Sequence, residues 1–179
     1  LFAKREAAET IFEVDPVLEE KITTQASQYR NKHIAKFDRY EVARIKLDNG
    51  KESFELKKGS NSNWGLDSDP AVKIDTAQVD GLLTKLQDIQ LTQYLTAQDK
   101  LKIPNLKISL FEKKETGEAE VLNLIFSAEA QNRIKGQRKG LPLLFEISKG
   151  DFDKLNISKQ SLIKTEEKPK EADKLPKKS

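Results

Sequence analysis

The chain has 179 residues, 36% of them hydrophobic and 34% charged, enough for one domain or two small lobes around a real core. It has no cysteine, which excludes disulfides, thiol nucleophiles and cysteine-based metal sites, and no apolar run nears the roughly 18 residues of a membrane-spanning helix. Of its net charge of +3, the stretch KTEEKPKEADKLPKKS at 164–179 carries +2, so the body is close to neutral and lacks the basic footprint of a nucleic-acid binder.

The chain opens on Leu1 without the basic-then-apolar layout of a signal peptide. It reads as a piece of something longer, which leaves a targeting segment open. Residues 1–4 and 10–14 read as two strands around the polar turn REAAE. Asp15 and Pro16 are a strong helix start, an N-cap followed by proline at the first helical position. The apolar spacing of Val17, Leu18, Ile22, Ala26 and Tyr29 carries that helix to about Gln28.

The stretch EVARIKLDNGKESFELKK holds Asn49-Gly50, a favoured two-residue hairpin turn. That turn places Asp48 opposite Lys51, Ile45 opposite Phe54, Ala43 opposite Leu56 and Arg44 opposite Glu55. One face is then apolar and the other wet. A short strand with the single tryptophan, Trp64, follows, then a loop, and then a helix opened by Asp75 with Gln78 as its capping-box partner. Val79, Leu82, Leu83, Leu86 and Ile89 form its apolar stripe, expected to cover the hairpin.

A second hairpin alternates Leu106, Ile108 and Leu110, turns at KKETGE and returns from Val121 to Phe126. Short strands near 131–135 and 143–147 and a short helix after Ser148 complete the pattern. The Lys/Glu/Pro-rich end is expected to be disordered, since it has almost nothing apolar to bury.

The segments IFEVDPVLEEKI at 11–22 and LFEISKGDFDKL at 144–155 are alike. At an offset of 133, Arg5 meets Arg138, Phe12 meets Phe145, Glu13 meets Glu146 and Lys21 meets Lys154. Each copy reads as a basic turn, an apolar strand and a helix start. One reading is coincidence between two strand–helix junctions. The other is that residues 1–29 close a preceding repeat unit, 30–158 form a complete unit, and 159–179 are a tail.

A further pattern lies in Arg30, the Phe37-Asp38 step, the strand from Val42 to Leu47, the Trp64-Gly65-Leu66 strand, Pro70, and the leucine-rich helix from Asp75 to Leu86. With the closing strands at Phe12 and Phe145, it resembles the bacterial family of domains of unknown function numbered 4340, over most of the chain up to about Leu155. The polar GSNSN before Trp64 and the charged tail depart from the pattern. The resemblance implies an extracytoplasmic protein held by an N-terminal membrane segment, associated with ABC-type transport systems of the gliding-motility kind. It implies no activity.

Few residues suggest chemistry. His33 is the single histidine and reads as solvated. Asp67 and Asp69 read as turn formers, since no calcium-loop spacing follows. No nucleophile elbow, phosphate loop or dinucleotide fingerprint is present. The segment RIKGQRKG at 133–140 offers Arg133, Lys135, Arg138 and Lys139 as an anion- or partner-binding group, against the plainer reading of a charged hairpin turn. Trp64 is either core or a partner anchor.

The expected fold is therefore α+β, antiparallel hairpins forming a sheet packed by amphipathic helices. The expected function is a non-enzymatic, protein-binding accessory module of a membrane transport complex, without cofactor, metal or nucleic acid. The alternatives are a domain binding an envelope polymer or lipid headgroup, and an enzyme of unrecognised type.

Overall fold

The computed structural model of the protein describes residues 2–4, 10–13, 15, 31–95, 99–129 and 132–164. Apart from Asp15, the helix expected over 15–28 lies outside the described residues, as do the turn REAAE and the charged end from residue 165.

Among the described residues the architecture is mostly antiparallel sheet with two α-helices. Strands β1 (Phe2–Lys4) and β2 (Ile11–Glu13) form a two-stranded sheet, with Ala3 opposite Phe12. The other strands are β3 (Val42–Asp48), β4 (Ser53–Lys58), β5 (Trp64–Leu66), β6 (Asp69–Lys73), β7 (Gln93–Tyr94), β8 (Leu106–Lys114), β9 (Gly117–Ala128), β10 (Ile134–Arg138) and β11 (Phe145–Ile147). They form one nine-stranded sheet in the order β6-β5-β4-β3-β8-β9-β10-β11-β7, with antiparallel neighbours throughout. Helix α1 (Thr76–Asp88) follows β6, and α2 (Lys149–Leu155) follows β11.

Strand parity sorts the sheet into two faces. Ile45, Leu47, Leu56, Ile108, Leu110, Leu124, Phe126 and Phe145 point inward and are at most 1% exposed. Val79, Leu82, Leu83 and Leu86 of α1 and Phe152 and Leu155 of α2 join them in one core, and the two helices touch each other. The side chain of Asp75 caps α1 by accepting from the backbone N–H of Ala77 at 2.9 Å. Ser148 caps α2 by accepting from the N–H of Asp151 at 3.0 Å.

The first hairpin differs from expectation. Ile45 pairs with Leu56, Leu47 with Phe54 and Arg44 with Lys57, a slide of two residues from the pairing a two-residue turn would give. The loop instead spans four residues, closed by the N–H of Asn49 donating to Glu52 O at 3.1 Å. Asn49 Oδ1 accepts from the N–H groups of Lys51 and Glu52, and its Nδ2 donates to Ile157 O. Gly50 provides the positive φ of +77°. A slide of two preserves parity, so the inward residues are unchanged.

Two strands were not foreseen. β6 contains Pro70 but lies at the sheet edge, where a missing N–H is tolerated. β7, at the other edge, is two residues long. The ordered unit also runs past residue 158. Lys159–Leu162 form a 3₁₀ turn with Leu162 buried, Ile163 bridges to Ile74, and the N–H of Lys164 donates to Lys73 O. Residues 159–164, expected to belong to the tail, are thus packed onto the unit.

Candidate functional site

Within RIKGQRKG, Ile134–Arg138 are strand β10, and Lys139 and Gly140 open the turn that follows it. Ile134 and Gly136 face the core, which sends Lys135 to the opposite face of the sheet. Arg133 forms an ion pair with Glu146, its Nε donating to Oε1 at 2.8 Å, and this hydrogen bond raises its pKa. Lys135 is 8% exposed and donates to Asp99 at 3.0 Å, with Glu129 at 3.5 Å; the Asp99 bond raises its pKa. Arg138 turns to the helix side and donates to Ile34 O. Lys139 pairs with Glu120 at 2.6 Å. Alternation thus distributes the four cations over two faces, each with an acceptor, and they do not converge on one point.

Trp64 lies at the far side of the sheet, with four strands between β5 and β10. It is 4% exposed and packs in the core, and it lines a cleft of about 430 Å³ with Pro70, Val72, Lys73 and Lys164. His33 is exposed; its Nδ1 and Gln87 O are 3.3 Å apart, and its Nε2 lies 3.4 Å from the Gln90 amide. Asp67 lies in the turn before β6 and binds Lys57 at 2.8 Å, and Asp69, the first residue of β6, accepts at Oδ1 from the N–H of Ala71. Among the described residues no group of three His, Asp or Glu is placed to hold a metal ion. No described helix is long and apolar enough to cross a membrane.

The more open surface is the sheet face opposite the helices. A groove of about 390 Å³ runs across β3, β8 and β9 there, lined by Lys46, Asp48, Lys107, Ser109, Phe111 and Ile125, among others. Cross-strand pairing builds it. Lys46 stands opposite Ser109, Asp48 opposite Lys107, and Ser109 and Lys107 opposite Asn123 and Ile125. A bulge between Leu110 and Phe111 puts Phe111 opposite Glu120, leaving Val121 as the extra residue.

At one end of the groove the Arg44 guanidinium stacks on the Phe111 ring, 3.6 Å from its centroid. Arg44 also donates to Glu118 at 2.5 Å and Glu55 at 3.2 Å. Burial lowers its pKa, but these two bonds outweigh burial and leave it raised. Glu120 accepts from Asn123 at 2.8 Å and from Lys139, and these bonds hold its pKa below the usual carboxylate range. The result is a fixed pattern of charge with two apolar side chains, Phe111 and Ile125, on an otherwise polar face. The sequence reading passed over this surface. Its signal was present as those two apolar residues at wet positions of otherwise regular alternation.

Comparison with known proteins gives one family. Residues 1–108 match the model of a domain of unknown function, DUF4340. The match runs from β1 to the start of β8; β9, β10, β11 and α2 lie beyond it, so it is shorter than the resemblance up to about Leu155 suggested. No curated protein and no solved structure matches the chain.

Proposed function

The chain belongs to the DUF4340 family, and from that premise we propose that it is a non-enzymatic accessory module that binds another protein of a membrane transport complex. It works on the extracytoplasmic side, held by an N-terminal membrane segment. The reading of transport, compartment and anchor rests on what the family resemblance implies. The observation that carries protein binding is the sheet face opposite the described helices, with its groove at Lys46, Lys107, Phe111 and Ile125.

Stacked arginine and aromatic side chains with scattered apolar residues inside a charged rim are the composition of interface centres. Arg44 is held by two carboxylates before any partner arrives, so little side-chain entropy remains to be lost there. On the same reading, β1 and β2 are the closing hairpin of a preceding unit, and residues from 30 onward form a complete one.

The test is cross-linked co-purification of the full-length protein from its native membranes, read by mass spectrometry. Transporter subunits are expected in stoichiometric amounts with the parent protein, and at reduced yield with the charge-reversed variant Lys46→Glu/Lys107→Glu. Recovery of the protein alone, or a uniformly cytoplasmic protein, contradicts the proposal.

A further inference from the structure

The pairing of β1 with β2 has the register of β10 with β11. Ala3 is opposite Phe12 and Phe2 opposite Glu13. Gly136 is opposite Phe145 and Lys135 opposite Glu146. The differences 136 − 3, 145 − 12, 135 − 2 and 146 − 13 all equal 133. The sequence likeness of the two β2-type strands has the same offset, through Phe12 and Phe145 and through Glu13 and Glu146. Two unrelated hairpins have no reason to share both alignment and register, because a slip of one residue would exchange their faces.

The two hairpins differ in what covers them. Phe145 is fully buried, with the ring of Phe126 from β9 edge-on at 6.3 Å. Phe12 is 52% exposed and Ile11 62% exposed. β10 has two neighbours, β9 and β11, whereas β1 pairs with β2 alone among the described residues. A strand edge of unpaired backbone groups beside exposed apolar side chains is a template for another strand.

We propose that the free edge of β1 receives an antiparallel strand with the chemistry of β9, supplied by a sister unit of this same kind. This rests on reading β1–β2 as the closing hairpin of such a unit. The register follows from β9–β10, where Gly136 is opposite Phe126, Gln137 opposite Ile125 and Lys135 opposite Ser127. The incoming strand then sets a phenylalanine opposite Ala3, an isoleucine opposite Lys4 and a serine opposite Phe2. Its aromatic ring then lies on the same face as Phe12, shifted from the Phe126 arrangement because Ala3 carries a Cβ where Gly136 has none.

The absence of native cysteine makes disulfide trapping a clean test. The probe is a synthetic peptide of residues 121–129, VLNLIFSAE, with a solubilising lysine tag, added to the 179-residue protein carrying Lys4→Cys. Directly paired residues are about 4.5–5.5 Å apart, within disulfide reach, whereas a two-residue mismatch adds about 6–7 Å and is not. The peptide with Ile125→Cys should therefore cross-link at least about fivefold faster than the peptide with Ser127→Cys. Equal rates, or no cross-link with either, overturn the strand-acceptor proposal. The intrachain pair Ala3→Cys/Phe12→Cys tests the hairpin separately. If it closes and the peptide fails, the edge proposal falls and the closing-hairpin reading stands; if it does not close, both fall.

Discussion

Gly136 lies directly opposite Phe145 between β10 and β11, and the phenylalanine ring fills the space a Cβ on Gly136 would need. The Phe126 ring closes the other side at 3.0 Å from that position. Both rings are fully buried and pack against each other edge-on, so neither has room to yield. Gly136→Ala should destabilise the protein by about 1–3 kcal/mol, the usual cost of overpacking a filled core. Urea denaturation measures it, and Phe145→Leu in the same chain should recover part of the loss. An unchanged midpoint for Gly136→Ala contradicts the packing described.

The start of α1 depends on one side chain. Asp75→Ala removes the acceptor for the N–H of Ala77 and should cost about 1 kcal/mol, while Asp75→Asn should keep most of it. Thermal unfolding of the two variants separates loss of the cap from loss of charge.

The four-residue loop at 49–52 gives a third prediction. Asn49 accepts two loop N–H groups and donates to Ile157 O, tying the hairpin to the segment after α2. Asn49→Ala should cost about 1–3 kcal/mol, and Asn49→Asp, which keeps the acceptor and loses the donor, should fall between. Were the loop a two-residue turn, Asn49→Asp would be nearly neutral.

Glu120 sets a pH dependence. Its pKa is lowered in the fold by Asn123 and Lys139, so its contribution is complete above its unfolded pKa of about 4.3 and is lost as the pH falls through the folded value. Glu120→Gln should be less stable than the parent at neutral pH. The difference should shrink as the pH falls below about 4.3. Melting temperatures across that range check the sign; a gap that widens on acidification contradicts it.

The sheet's centre was legible in the chain and its margins were not. β3, β4, β8 and β9 alternate cleanly, and the stripe from Val79 to Leu86 has helical spacing, so local pattern and tertiary burial agree. Pro70 hid β6, because proline argues against a strand unless its edge position is known. Gln93–Tyr94 is too short to carry a period. Asn-Gly alone points to a two-residue turn and so to a register two residues from the one formed. The four-residue closure is held by Ile157 and by the N–H of Lys159 donating to Glu52, more than a hundred residues away.

The candidate surface was less legible than the fold. Arg133, Lys135, Arg138 and Lys139 are close in sequence, and alternation along β10 separates them. Lys46, Lys107 and Ile125 are far apart in sequence and meet only through the order of β3, β8 and β9. Phe111 shares the outward parity of Lys107 and Ser109 along β8, whereas Glu120 comes opposite it through a bulge at Val121 that no local pattern marks.

The central claim, that the sheet face opposite the described helices docks a protein partner, is tested most directly by site-specific photo-crosslinking in the native cells. One photoreactive residue replaces exposed Lys107 on that face, and another replaces exposed Lys85 on α1 as the control. The account predicts a discrete adduct between position 107 and a transport-complex protein, with none at position 85. Adducts at both positions alike, or none at position 107, would contradict it.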